Sequence, residues 1–290
     1  MDLNNRNFDS ISPSAKTLLL MKGLTSIAFA RQAAELIMHP EPYIPDYENK
    51  DFTFWARVAH FESRYQSVDQ LLADVPIKNV LELSSGFSFR GLAAVKEKDI
   101  HYIDTDLPAL IEKKKEMIAA LQGGSFSAKG NLEVLPLNAL DEKSFMEIVD
   151  RFEDGEIIIV NEGLLVYLNT EEKSKLCSII HKVLEQRGGY WITADIYIKQ
   201  KTADNNLRMK DQLQEFLDKH HVEENKFDSI EDAEDFFKKA GFVIDKEAAP
   251  DYSKVSAVSY MLKNATQDQV TALGKTGKIH ATWRLKISGK

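Results

Sequence analysis

A single cysteine in 290 residues leaves nothing to pair, so Cys177 can join neither an internal disulfide nor a thiolate metal cluster. It falls within the helical pattern Leu176, Ile179, Ile180, Val183, Leu184 and reads as a core residue. No apolar run approaches the roughly 18 residues of a bilayer-spanning helix. The opening stretch MDLNNRNFDSISPSAK lacks a basic region leading into an apolar core, so no secretion signal is read and cytoplasmic residence is expected. Basic charge is not in excess either. A net charge of −8 argues against a surface built to grip a nucleic-acid backbone, although a local basic groove remains compatible with it. Glycine is missing where a dinucleotide would need it: the positions corresponding to G-x-G-x-x-G read Ser84, Gly86 and Phe89.

The 43% hydrophobic content suffices for one large core with a cap, and a single domain over 1–290 is expected. Its first part, 1–76, is a helical preface, and 77–290 is an α/β core. The preface carries a helical repeat over 14–38, a proline-rich loop from His39 to Tyr47, and a second helix over 52–73 closed by Pro76. From Asn79 onward strands and helices alternate. The pattern predicts strands at 79–83, 100–104, 132–136, 156–161, 190–196, 242–247 and 280–287. It predicts helices over 107–121 and 142–152, and a longer one with Thr170 as N-cap that stops at Gly188-Gly189. Ser229 with Asp232 resembles a capping box. The run IIIV at 157–160 has no polar alternation and suits a central strand buried on both faces. This rhythm implies a mostly parallel, doubly wound sheet. The polar interval 198–228 breaks it and reads as a lid or substrate-shaping insertion.

The most telling segment is NVLELSSGFSFRGLAA followed by HYIDTDLP, a buried strand, a turn at Gly86, a helix, and a second strand ending in acid. A carboxylate about 20 positions beyond such a turn suits two vicinal ribose hydroxyls. With the pyrophosphate glycines missing, a nucleoside without phosphates fits better, and S-adenosylmethionine is the obvious one. Ligands of open α/β sheets sit at the carboxyl ends of strands. Those ends offer Glu82 and Ser84 to Gly86, then Asp104 and Asp106, then Asn138 and Ala139, then Glu162. Gly86 lets the backbone pass close to the cofactor. Glu82 fixes the loop or meets the methionine ammonium through water. Asp106 serves the ribose or caps the next helix, with Asp104 in reserve, and Asn138 pairs with adenine or makes a turn. By composition alone Arg64, on the second preface helix, reads as a surface arginine, but a guanidinium near the cofactor would clamp its carboxylate.

At these residues the sequence resembles the leucine carboxyl methyltransferase family, including its bacterial polyketide-type O-methyltransferase branch. The resemblance covers most of the chain, through ISPSAKTLLLMKG, ESRYQSVDQLL, VLELSSGFSFR, YIDTDLP, IIIVNEGLLVYLNTEE and KIHATWRL. It implies a class I S-adenosylmethionine-dependent methyltransferase fold: Rossmann-like, seven-stranded and mostly parallel, with an N-terminal helical cap and an insertion after the fifth strand. It also implies roles. Arg64 would contact the methionine carboxylate, Gly86 would lie under the cofactor, Asp106 would bind the ribose, Asn138 and Ala139 would flank adenine, and Glu162 would lie near the amino-acid part. Two departures stand out. The family's first loop usually reads small–small–Gly or Gly–small–Gly and then an acid, where this chain has Ser84-Ser85-Gly86-Phe87-Ser88, and Asn138 stands where an aspartate is usual.

No histidine–acid pair is evident near the strand ends. His39, His60, His181, His220 and His221 lie in the preface, a crossover helix or the insertion, and His101 and His280 fall at predicted strand starts, the wrong end for chemistry. Tyr167 and Tyr197 border the expected acceptor pocket, and no metal site is read. Methyl transfer is an in-line displacement, and a carboxylate acceptor needs no general base whereas an alcohol or phenol benefits from one. The expectation is therefore O-methyl transfer to a small molecule, with a carboxyl group slightly preferred. The alternatives are a cofactor-binding protein with little or no turnover and, less favoured, a nicotinamide-dependent oxidoreductase. The expected partner is a small-molecule substrate, without nucleic acid or membrane, on a monomer or weak homodimer.

Overall fold

The computed structural model describes residues 12–123, 126–199, 212–275 and 277–289. Three helices come first: α1 (Ser12–Lys22), α2 (Ala30–Met38) and α3 (Phe52–Ala73). The single helix expected over 14–38 is therefore two. At Gly23 a Cβ would lie 2.8 Å from both Ala34 Cβ and Tyr43 Oη, so the two helices cross at the one residue without a side chain. Phe29, in the left-handed region at φ 62°, completes the reversal. The long α3 begins as expected at Phe52, with the Asp51 carboxylate accepting from Phe54 N.

The core follows in alternation: β1 (Asn79–Leu83), α4 (Arg90–Glu97), β2 (His101–Asp106), α5 (Pro108–Gln122), β3 (Asn131–Pro136), α6 (Glu142–Val149), β4 (Ile157–Asn161), a 3-10 turn (Leu165–Tyr167), α7 (Thr170–Arg187) and β5 (Gly189–Tyr197). Then come α8 (Gln212–Lys219), α9 (Ile230–Lys239), β6 (Phe242–Glu247), α10 (Ala257–Lys263), α11 (Gln267–Lys275) and β7 (His280–Ile287). The seven strands form one sheet of order β3-β2-β1-β4-β5-β7-β6. Strands β1 to β5 pair in parallel, and β7 is antiparallel to both β5 and β6. This is the mostly parallel, doubly wound architecture expected from the alternation. Its strand order reverses between β1 and β4, and the crevice of such a sheet opens above that pair.

The central strands are buried on both faces, as the run Ile157–Val160 implies, with every one of its residues at 1% exposure or less. Helix α7 is capped by Asn169 rather than Thr170. The Asn169 carboxamide accepts from Glu172 N while the Glu172 carboxylate accepts from Asn169 N, a reciprocal box one residue earlier than the spacing suggested. Ser229 accepts from Asp232 N, as expected. Helices α10 and α11 have no counterpart in the sequence reading. The first packs on α3, where the Tyr260 ring stacks on Trp55 at 4.7 Å and the fully buried Glu62 accepts from Ser256 Oγ and Ala257 N. No helix among the described residues is long and apolar enough to cross a membrane.

Candidate active site

A cavity of about 350 Å³ opens at the carboxyl edge of β1, β2, β4 and β5. Helices α1 and α3 roof it on one side, and α8 with the following 222–226 segment closes the other. The expected lid within 198–228 thus has its described part over the cavity, while its residues 200–211 lie outside the described residues.

At one end of the cavity the β1 turn is held by a carboxylate. Gly86 takes φ 56°, a conformation that suits glycine, and its N–H donates to Asp106 Oδ2 at 2.7 Å. The other Asp106 oxygen accepts from Leu107 N at 2.7 Å, so the residue braces the entry to α5 without capping it and faces the turn. A carboxylate oxygen has two acceptor positions, which leaves one on each Asp106 oxygen. A Cβ built at Gly86 would meet only Ala15 Cβ, at 3.7 Å, so the turn lies open to the cavity below α1. Ser84 also adopts a left-handed conformation, φ 49°, with a side chain where the backbone favours glycine. Asn138 and Ala139 line the same end. The Asn138 carboxamide oxygen accepts from Leu140 N at 3.0 Å, so its amide N–H groups are what it offers to a ligand.

Two expected residues point elsewhere. Asp104 is 1% exposed and paired with Lys114 Nζ at 2.6 Å, outside the cavity wall. Burial pushes its carboxyl up to about 6 even with Lys114 beside it, and it is no reserve for a ribose. Position explains the difference: the two share a face of β2, but only the strand's last residue reaches the edge. Glu82 borders the cavity, yet its carboxylate is spent inward on Arg90 Nη1 and the Tyr102 hydroxyl, both at 2.6 Å. It fixes the loop rather than meeting a ligand.

Glu162, at the end of β4, gathers three cations. Lys22 Nζ lies at 2.8 Å and Arg64 Nη2 at 3.1 Å from one oxygen, and Arg90 Nη2 at 2.8 Å from the other. Burial alone would raise this carboxyl; Lys22, Arg64 and Arg90 outweigh it and hold the group well below the usual range. Burial moves Lys22 the opposite way from its partner's pull, and its ammonium is lowered. Arg64 is buried among its partners, not a surface arginine, because α3 turns this face toward the sheet. Its Nε and Nη2 donate to Glu162 and its Nη1 to the Tyr197 hydroxyl at 3.0 Å. A guanidinium has further N–H donors on Nη1 and Nη2, and these remain for a carboxylate.

A further buried carboxylate, which the sequence reading missed, braces the turn after β4. Asp195, 2% exposed on β5, accepts from Asn161 Nδ2 and Gly163 N at 2.6 Å, from Leu164 N at 2.7 Å and from Leu165 N at 3.0 Å. It therefore fixes the turn that carries Glu162 and Tyr167. An acid inside the apolar strand YWITADIY was the available signal.

The other wall carries Tyr167, Tyr197, His60, Arg57 and Lys226 among apolar Leu213, Leu217 and Val222. Both tyrosines border the cavity, and burial pushes the Tyr197 phenol up to about 12. The placing of His280 at the wrong end for chemistry is corrected, and His60, read as part of the preface, reaches the same edge. His60 precedes Arg64 by one helical turn on α3 and so shares its face, with Nε2 at 2.8 Å from the Tyr197 hydroxyl. His280 does begin its strand, but β7 runs antiparallel, so its start lies at the ligand edge. Its ring is 5.2 Å from His60, and its Nε2 is 2.8 Å from Ala194 O. Among the described residues no group of three or more His, Cys, Asp or Glu is placed to hold a metal ion.

No family model matches the sequence, and no curated protein matches it. The motif resemblance to the leucine carboxyl methyltransferases therefore has no counterpart at the level of sequence comparison. Solved structures do resemble the chain. The magnesium protoporphyrin IX methyltransferase of Synechocystis PCC 6803 with bound S-adenosylmethionine shares 11% identity at a TM-score of 0.47, over 98% of this chain and 99% of that one. The mitomycin 7-O-methyltransferase MmcR shares 10% at 0.47, over 89% and 67%. LepI in complex with S-adenosylmethionine shares 9% at 0.44, over 78% of this chain; the chain spans only 46% of its length. Likenesses this distant carry no argument about the site, which has to be read from its own geometry.

Proposed function

We propose that this chain is an S-adenosylmethionine-dependent methyltransferase that transfers a methyl group to an oxygen of a small acceptor, a carboxylate in preference to a hydroxyl. The observation that carries the reading is the convergence of Arg64, Gly86 and Asp106, from three separate segments, on one cavity at the sheet's switch edge. The residues present fit the cofactor. Asp106 has one acceptor position left on each oxygen for two vicinal hydroxyls, Gly86 leaves the turn open, Asn138 with Ala139 would flank the base, and Arg64 has donors left for the amino-acid carboxylate. When bound, the cofactor supplies an electrophilic methyl on a sulfonium. Against a dinucleotide stands Phe89, whose buried ring fills the position where a pyrophosphate needs a small residue.

The preference for a carboxylate is supported by the acceptor-facing wall. Arg57 and Lys226 line it, while the carboxylates of the cavity, Glu82, Asp106 and Glu162, all belong to the strand-end side. His60 is a poor proton acceptor there: burial, then His280 and Arg64, hold its imidazole well below the ordinary 6.5. An acceptor already ionised at neutral pH asks for no base. The walls' work is then to orient the nucleophile and exclude water, and orientation alone supplies roughly 7–11 kcal/mol in favourable cases.

A second reading, cofactor binding with little turnover, is favoured by the strained non-glycine Ser84 in the β1 turn. Incubation with methyl-tritiated S-adenosylmethionine and matched small acids and phenols tests both. Base-labile methyl esters are the expected products. A phenol-only profile would remove the carboxylate preference, and binding without transfer to any acceptor would favour the second reading.

A further inference from the structure

The Tyr197 hydroxyl stands between two partners whose demands differ. Arg64 Nη1 has only protons to give, so the hydroxyl oxygen accepts from it at 3.0 Å. The phenol's own proton is available to the other neighbour, His60 Nε2, at 2.8 Å. With the phenol as the donor in this pair, that nitrogen accepts on a bare lone pair. A neutral imidazole bonded through a bare Nε2 holds its proton on Nδ1. Burial first, then His280, Arg64 and Lys226 around the ring, with Glu162 opposing them, disfavour a second proton. His280 is held in the opposite tautomer, because its Nε2 faces the carbonyl oxygen of Ala194, which only accepts.

We propose that His60 is a specificity residue for the acceptor: Tyr197 locks it as a neutral Nδ1–H donor on the cavity wall, where it recognises an oxygen that accepts a hydrogen bond. An ionised carboxylate satisfies that donor without surrendering a proton. A neutral alcohol of the same shape also has lone pairs, but it brings a hydroxyl proton and no charge to a wall that already carries Arg57 and Lys226. Discrimination thus comes from a fixed tautomer rather than from a base. Arg64 links this pair to Glu162, so the donor is coupled to the cluster beneath the cofactor site.

The inference rests on the methyltransferase reading for the nature of the ligand but not for the tautomer, which is a property of the ligand-free chain. Long-range proton–nitrogen correlation spectra of the full chain, labelled with ¹⁵N-histidine, read it directly. His60 is expected as the Nδ1–H tautomer, still neutral at a pH of about 6, where a free imidazole is largely protonated. In Tyr197→Phe that pattern collapses to a tautomer mixture. In the presence of S-adenosylhomocysteine, benzoate is expected to shift the His60 resonances and benzyl alcohol to leave them in place. His60→Asn, whose amide keeps a donor near the Nδ1 position, should retain benzoate affinity within about threefold, and His60→Gln, which keeps the group facing Tyr197, should lose about tenfold. An Nε2–H tautomer, a protonated ring, or equal responses to benzoate and benzyl alcohol overturns the proposal. If S-adenosylhomocysteine itself fails to bind, the parent reading has failed; if it binds and the tautomer is wrong, only this inference falls.

Discussion

Asp195→Asn is a one-atom change whose cost follows from the hydrogen bonds around it. The carboxylate accepts four donors, with Oδ2 taking Asn161 Nδ2, Leu164 N and Leu165 N and Oδ1 taking Gly163 N. In the asparagine variant the remaining oxygen can serve the group of three, but the new NH2 then faces the Gly163 N–H, donor against donor. One buried N–H left without an acceptor costs about 1–3 kcal/mol, and hydrogen bonds to a charged group are roughly twice as strong as neutral ones. Together these give a loss of about 3–5 kcal/mol in folding stability. Because the disrupted turn carries Glu162 and Tyr167, affinity for S-adenosylhomocysteine should fall as well, even under conditions where the variant remains folded. Urea denaturation followed by tryptophan fluorescence gives the first quantity, and calorimetric titration at low temperature gives the second. A variant within about 1 kcal/mol of the parent, with unchanged ligand affinity, would refute the role given to Asp195.

Ser84→Gly should stabilise the fold by about 0.5–1 kcal/mol, since relief of the left-handed conformation exceeds the added freedom of the unfolded chain; thermal denaturation should show a rise of roughly 1–3 °C, and a fall would refute the strain. Burial holds the His280 imidazole down to about 4 from the ordinary 6.5. Below 6.5 the unfolded chain therefore binds a proton that the fold refuses. The stability this contributes is full above 6.5 and is lost as pH falls toward 4, by about 3 kcal/mol. His60 acts in the same direction. Denaturation midpoints at several pH values check this, and His280→Gln should flatten the slope; an unchanged slope counts against it. Asp106→Asn, which removes the charge from the two ribose contacts proposed for it, should weaken S-adenosylhomocysteine on the order of 100-fold by calorimetry.

The sheet was legible because its signals are local. The apolar run Ile157–Val160, the glycine exits and the prolines each mark an element by its own chemistry, and all seven expected strands form. What escaped depends on direction and contact. His280 was dismissed from its place at a strand start, a judgement that holds for parallel strands and inverts for β7. Asp104 and Asp106 look alike in YIDTDLP, and only position along the strand and Lys114 separate the buried one from the one at the edge. The break between α1 and α2 turns on Ala34 and Tyr43 meeting at Gly23, a tertiary fact that an uninterrupted helical repeat conceals. Helix α10 is held by Trp55 and Glu62 across about 200 residues of chain, and its own short sequence announces little.

Calorimetric titration of the full chain with S-adenosylhomocysteine, and separately with NAD, tests the central claim most directly. One saturable site for the first ligand, sharply weakened in Asp106→Asn, with no heat from the second, is the predicted result. Binding of NAD alone, or of neither compound, would contradict it.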